Sequence, residues 1–332
     1  MPLTGLYHSL PGPVKGLALV VVSTIAFAGM QALIRHTTRE VHPFEVVFWR
    51  NLFGLIAMAP FFLRHGLSVF KTNRLRHHAL RNGLHVCSTL MFFYGVALTP
   101  LATVSALSFT SPLFAALGTV LILGERIRTR RIVALVIGFI GTLVIIRPGF
   151  IELQTGALLI LASSLLWGVV MVNIKALGTS ESSVTSTAYM AVIMTPLSLL
   201  PAALFWTWPS PTMIGYLALM GLLGTIAHIA LAQAFRETEA TTVLPADFLR
   251  LIWASLLGYA FFNEVPEFLV WVGGAMIFGA TAYIAFREAQ LARRVRSAPV
   301  PPPDGIAPAM DSAPAHAADS RPRSHAEGSE RP

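Results

Sequence analysis

Charge is scarce in this chain. Asp, Glu, Lys and Arg make up 12% of its 332 residues, where a soluble domain carries about 25%. Hydrophobic residues make up 55%, and the mean hydropathy is +0.66. A soluble fold could not cover that much apolar surface, so a soluble globular protein is excluded and lipid is the natural solvent. Cysteine is nearly missing: Cys87 stands alone, which rules out an intramolecular disulfide and any Cys/His metal spacing. Acidic residues are fewer than basic ones, 16 against 24, and the pI is near 10.2. The basic residues lie between apolar runs rather than on one soluble face, so nucleic acid is not the expected partner. Also missing are H-E-x-x-H, G-x-S-x-G and a Gly-rich phosphate loop. No enzyme activity, cofactor or metal is therefore expected.

What is present is a series of apolar runs. A spanning helix needs about 20 mainly apolar residues. Ten such segments can be read, at 15–35, 43–63, 80–98, 101–123, 130–147, 156–176, 184–206, 212–235, 240–262 and 266–286. Pro43, Pro100, Pro148-Gly149, Pro209 to Pro211 and Pro266 mark boundaries. The first run contains Ala26-Phe27-Ala28, which matches a leader cleavage site in form, but it continues to Ile34 and has an internal counterpart, so it reads as a span. The stretch from 287 to 332 is rich in Pro, Ala and Ser, without apolar periodicity, and reads as a disordered cytoplasmic tail.

The basic residues set an orientation. With the N-terminus inside, the inner sections hold sixteen Lys and Arg: Lys15, Arg64, Lys71, Arg74, Arg76, Arg81, Arg126, Arg128, Arg130, Arg131, Lys175, Arg236, Arg287, Arg293, Arg294 and Arg296. The outer side holds three: Arg35, Arg39 and Arg147. The positive-inside rule then predicts a multi-pass protein of the cell (inner) membrane with both termini cytoplasmic. Arg126 to Arg131 reads as a topology determinant touching anionic lipid.

The chain is also a duplication. At a shift of about 140, Gly16 meets Gly156, Ser23 meets Ser163, Phe27 meets Trp167 and Arg35 meets Lys175. At about 139, Thr99 meets Thr238, Val104 meets Val243, Phe109 meets Phe248, Ala115 meets Ala254 and Glu125 meets Glu264. Five spans per half is an odd number, so the second half enters the membrane inverted, as in secondary transporters with a midplane substrate site.

Thr99 to Gly149 resembles the end of an EamA-type repeat of the drug/metabolite transporter (DMT) superfamily. It has early alanines, a mid-helix proline (Pro112), a closing Gly124-Glu125 and a Gly-rich helix ending at Pro148-Gly149. Thr238 to Arg287 is similar, with Asn263-Glu264 for Gly-Glu and Leu251 at the proline position. The resemblance covers 15–287. It implies an all-α membrane protein of ten transmembrane helices, built as two inverted five-helix repeats (15–149 and 150–286) after a short N-terminal segment (1–14), with a cavity between the repeats. The run "DFLRLIWASLLGY", Asp247 to Tyr259, resembles a subset labelled as carriers of metabolites such as S-adenosylmethionine or riboflavin.

The candidate site residues are charges in otherwise apolar helices. Arg50 and Arg250 each fall within about 5 Å of the centre of their segments at 1.5 Å per residue. Asp247 lies one turn from Arg250, on the same helix face. A midplane charge costs at least about 2.5–3.5 kcal/mol, so each must face a partner or a watery cavity. In the functional reading Arg250 and Arg50 contact an acidic group of the solute, and Asp247 orients Arg250 or binds an amine or proton. In the structural reading Asp247 simply pairs with Arg250, and Arg50 bonds backbone carbonyls. His228 and His85 are candidates for proton coupling, with His85 otherwise a hydrated interfacial histidine. Trp167, with Phe92, Phe93 and Tyr94, is a candidate cavity wall for a flat solute. Pro112 and Pro245 mark helices that could line that cavity. Glu45 is placed near the outer surface, hydrated. Glu125 and Glu264 are placed at helix ends, bonded to the next loop.

The function expected is a secondary transporter of a small organic metabolite, amino-acid-like or zwitterionic, working by alternating access. Its partners are the bilayer, the solute and a coupling proton or second solute, with a homodimer left open. The rival is a non-transporting membrane sensor or assembly partner.

Overall fold

The computed structural model describes residues 12–65, 72, 74–123, 129–148, 154–177, 183–238, 243 and 246–296. They are helical throughout, with no extended strand among the described residues. In chain order the helices are α1 (Gly12–Thr37), α2 (Pro43–His65), α3 (Leu75–Leu98), α4 (Leu101–Ser108), α5 (Ser111–Leu123), α6 (Thr129–Ile146), α7 (Thr155–Leu177), α8 (Ser183–Ala203), α9 (Pro211–Glu237), α10 (Leu249–Phe262) and α11 (Phe268–Arg296). Among the described residues, six stretches are long and apolar enough to cross a membrane: Val14–Thr37, Leu101–Leu121, Thr129–Ile146, Thr155–Asn173, Pro211–Ala234 and Phe268–Arg287. The other four expected spans fall on α2, α3, α8 and α10, where polar side chains, prolines or short length interrupt the apolar run.

Local signals explain the boundaries. Pro43 and Pro211 open α2 and α9, where a missing N–H costs nothing. Ser210 caps α9 by accepting from the Met213 N–H at 3.2 Å. Asn263 ends α10 in the left-handed region at φ 56°, and the next N–H, of Glu264, reaches back to Gly258 O at 3.0 Å. Asparagine tolerates that conformation, which is why it can stand where the first repeat has Gly124.

Three expectations need correction. The segment 101–123 is two helices, broken at Phe109–Thr110. Pro112 cannot donate to the Ser108 carbonyl, and the Ser111 hydroxyl bonds it instead at 2.9 Å. The Phe109 carbonyl accepts from Thr281 Oγ1 of α11 at 3.2 Å. The second repeat turns at the equivalent Phe248 without a proline at Leu251, so the break belongs to the fold and not to Pro112 alone. Next, α3 begins at Leu75, and Arg81, counted above among the hydrated inner charges, is buried. Last, α11 continues past residue 286 to Arg296, with Arg287 Nη1 donating to Gln290 Oε1 along the helix. Pro245 and residues 297–332 lie outside the described residues.

The duplication is written in the packing. α1 lies along α9, and α7 lies along α3. A Cβ on Gly16 would collide with Thr238, and one on Gly156 with Thr99. Val20 packs with Ala234, and Gly95 faces Ile160. Ser23 Oγ donates to Ala227 O at 2.9 Å, and Ser163 Oγ to Ser88 O at 2.8 Å. Each of these contacts has its repeat-shifted counterpart. Phe109 and Phe248, equivalent positions, stack on each other at 6.1 Å. Equivalent residues that touch must lie near the axis relating the halves, so the two mid-helix turns meet at the centre.

Candidate functional site

Around those turns the helices bring polar groups into the interior. Arg50 on α2 lies against bare backbone of α9: a Cβ on Gly224 would be 3.5 Å from its Nε and Nη2. Its Nη1 donates to Asn51 Oδ1 at 2.9 Å, and Asn51 Nδ2 donates to Ser198 Oγ of α8 at 3.1 Å. Asn51 and Ser198 are buried, so the guanidinium is held from both repeats. His228 on α9 sets Nδ1 2.7 Å from Gly224 O, and its ring meets Phe27 of α1 edge-on at 5.1 Å. Arg50 is half-buried and His228 is exposed.

Asp247 Oδ2 accepts from Arg250 Nη2 at 3.2 Å, as their spacing of three demands. The Arg250 guanidinium also lies over Phe109 at 4.8 Å and Phe27 at 5.7 Å. Phe27 therefore joins this pair to His228. Trp167 of α7 packs on His85 of α3 at 4.5 Å, and His85 is within electrostatic reach of Arg50, His228 and Arg81. Phe27 and Trp167 are repeat equivalents, and each meets a histidine, His228 or His85, from the helix it crosses. The structure thus places Arg50, His228 and Trp167 about one group, with Asp247–Arg250 joined through Phe27.

Other expectations change. His85 is buried rather than hydrated. Arg50 bonds a side chain, not backbone carbonyls. Phe93 is buried in the core, Phe92 packs against it, and Tyr94 lies near His42 and Phe44, so these three do not join Trp167. Arg131 turns inward to Ala116 O at 3.2 Å and Thr119 Oγ1 at 2.9 Å, while Arg130 is exposed. Residues 124–128, with Glu125, and the Lys175 side chain lie outside the described residues.

Sequence reasoning missed a polar stripe on α3. His78, Arg81, Asn82 and His85 are all buried, at helical spacing. His78 stacks on Tyr189 of α8 at 4.7 Å, and Asn82 Nδ2 donates to Tyr189 O at 3.3 Å. The signal was the i, i+3, i+4, i+7 pattern itself, hidden because its first residues read as loop.

The end of the bundle bearing the α1–α2, α3–α4 and α8–α9 turns carries a clasp between the repeats. Glu264 Oε2 accepts from the Leu101 N–H at 2.8 Å, and Oε1 lies 3.0 Å from Arg35 Nη2. Arg35 Nη1 also caps α3 through Val96, Ala97 and Thr99 carbonyls. Glu264 therefore binds the other repeat rather than its own next loop. Glu45, expected to be hydrated, is fully buried and accepts from Trp49 Nε1 at 3.0 Å and from Thr207 N and Oγ1 at 2.9 Å each. Arg147 pairs with Glu267.

Two packed halves, broken central helices and interior charges define a membrane carrier built by duplication. The chain belongs to the EamA-like transporter family, whose model matches residues 14–147 and 154–286. It is 31% identical to a riboflavin transporter of Rhizobium johnstonii, covering 85% of this chain and 94% of that one. It is 28% identical to an S-adenosylmethionine uptake transporter of Rickettsia felis (82% and 93%) and 25% identical to a pseudopaline exporter of Pseudomonas aeruginosa (79% and 93%). A solved crystal structure, 20% identical, superposes with a TM-score of 0.56 over 83% of this chain and 98% of its own, which shows a shared fold. The protein is a membrane transporter of a small organic solute.

Proposed function

We propose that the chain is a secondary transporter of the cell (inner) membrane, with ten spans arranged as inverted repeats 15–149 and 150–286 and both termini cytoplasmic. An amino-acid-like or zwitterionic solute binds near the midplane and passes by alternating access, driven by an ion or solute gradient. Arg50 and Arg250 face its acidic group, Asp247 orients Arg250 or takes an amine or proton, and Trp167 and His228 flank it. The observation that carries this reading is Arg50 with His228: a charge of the first repeat lies against Gly224 of the second, and His228 Nδ1 is 2.7 Å from the carbonyl of that same glycine. Relatives are named for uptake and for export, and both directions are open to this chain.

Uptake of labelled riboflavin and S-adenosylmethionine into proteoliposomes, with an outward or inward proton gradient, tests the reading. Accumulation that depends on the gradient supports it. A protein that passes neither of these, nor nicotinate or indole-3-acetate, in either direction is a sensor or assembly partner instead. Reporter fusions at Lys71 and after Arg287 should both report cytoplasm, and a periplasmic signal at either overturns the orientation.

A further inference from the structure

The two interior arginines are not equivalent. Arg250 is neutralised: Asp247 accepts from it at 3.2 Å, and two phenyl faces cover it. Arg50 is not. Among the described residues its one hydrogen bond goes to a neutral amide, Asn51 Oδ1, and it forms no ion pair. The groups that do share its surroundings add positive charge or none: His228, His85 and, through His85, Arg81. A guanidinium enclosed in a membrane protein and left without a counter-charge is costly. The Asn51–Ser198 tether keeps it from folding away, and its Nε and Nη2 lie against the bare Gly224 backbone of α9. A guanidinium is a planar fork, the geometry that takes a carboxylate or phosphate in paired hydrogen bonds. The walls beside it are flat rings: His228 with Phe27, and Trp167 with His85.

Resting on the carrier reading above, we infer that the solute is a flat ring acid, whose anionic group seats on Arg50 and whose ring lies among His228, Phe27, Trp167 and His85. The acid is the required pole. An amine at Asp247 is secondary, because Arg250 already balances that charge through Oδ2, while the buried Oδ1 keeps no partner among the described residues. Arg250, paired with Asp247 and lying over Phe109 and Phe27, is the weaker anion contact of the two.

The test uses the full-length purified protein and matched probes that differ only in charge: nicotinate against nicotinamide, and indole-3-acetate against indole-3-acetamide. Binding is read by thermal shift and by quenching of tryptophan fluorescence. The acids should raise the melting temperature and the amides should bind more weakly. Arg50→Gln should weaken the acids by about tenfold or more, as loss of a charge-assisted hydrogen bond predicts, and leave the amides unchanged. Arg50→Lys keeps the charge and loses the fork, so it should fold and show an intermediate acid preference. If Arg50→Gln does not purify, that intermediate value carries the test. Arg250→Gln should weaken the acids less than Arg50→Gln does, and Trp167→Phe should remove most of the quenching. The inference is overturned if acids and amides bind alike or neither binds. It is overturned equally if the preference survives both Arg50 variants, or if Arg250→Gln costs the acids more than Arg50→Gln. Gradient-driven uptake of riboflavin or S-adenosylmethionine in that event leaves the carrier reading standing and removes only this assignment.

Discussion

Replacing Glu264 with alanine should open the clasped end of the bundle. The carboxylate holds the Leu101 N–H at 2.8 Å, a charge-assisted bond to the first turn of α4, and such bonds contribute about 1.5–3 kcal/mol. Its second oxygen lies 3.0 Å from Arg35 Nη2 but out of line for a hydrogen bond, so this is a charge contact. With side chains 21% and 13% exposed, solvent screens the pair and we assign it about 1 kcal/mol. Arg35 would not be stranded, because three carbonyls of α3 and its following turn still accept from it. The sum is about 3 kcal/mol, roughly 150-fold in an equilibrium between clasped and open forms. Glu264→Gln retains an acceptor for Leu101 and should lose only about 1 kcal/mol, or fivefold. The assay is the rate of maleimide labelling at Ala102→Cys, buried beside the clasp, in a Cys87→Ser background. Labelling should accelerate strongly with Glu264→Ala and mildly with Glu264→Gln. Equal rates and equal melting temperatures for all three proteins would refute the clasp.

Four further outcomes follow from the same geometry. Gly156→Ala places a Cβ against Thr99 and Leu98 and should cost about 1–3 kcal/mol by thermal unfolding, and a variant as stable as the parent would contradict the close α3–α7 crossing. Glu45→Ala strands Thr207 and Trp49 and should lower stability by about 3 kcal/mol, where an unchanged melting temperature would mean that water replaces the carboxylate at no cost. At the turn before α2, burial lowers the His42 pKa below its ordinary value, with Glu45 partly opposing. Its neutral ring is the favoured folded form, so its contribution is present above about pH 6.5 and falls away as pH drops through the lower folded-state value. His42→Gln should flatten that part of the melting-temperature profile, and an unaltered profile would remove His42 as its source. Asp247→Asn should change the pH dependence of uptake while Arg250→Lys inserts normally but transports more slowly, and parent rates for both across pH 5 to 8 would make the pair scaffolding.

The helices, the repeat and the family were legible in the residues because apolar length and internal similarity are properties of the chain itself. Gly16 and Gly156, Ser23 and Ser163, and Thr99 and Thr238 recur because the same crossing is built twice. The candidate charges and His228 break that rule. The repeat partner of Arg50 is Met190, those of Arg250 and Asp247 are Ser111 and Ser108, and that of His228 is Thr89. Scaffolding obeys the duplication, while the interior charges occur once, which is why charge in an apolar run could single them out. The Asp247–Arg250 contact was also readable, since a spacing of three on a helix leaves little else for them to do.

The surroundings of each charge were decided by tertiary structure. Distance along a helix measures depth but not direction, because the rotation of a helix about its axis is set by what it packs against. Glu45 sits at the shallow depth that counting gives it, and is still sealed, because the α8–α9 turn lays Thr207 over it. His85 and Arg81 sit near a helix end and are still buried, because α7 and α8 close over that face of α3. Glu264 ends its helix as expected, but its partners, Leu101 and Arg35, come from the other repeat, the nearer of them 163 residues away along the chain. The difference between Arg250, neutralised by a neighbour three residues away, and Arg50, held by an amide tethered to α8 and left without a counter-charge, exists only once the two halves have packed together.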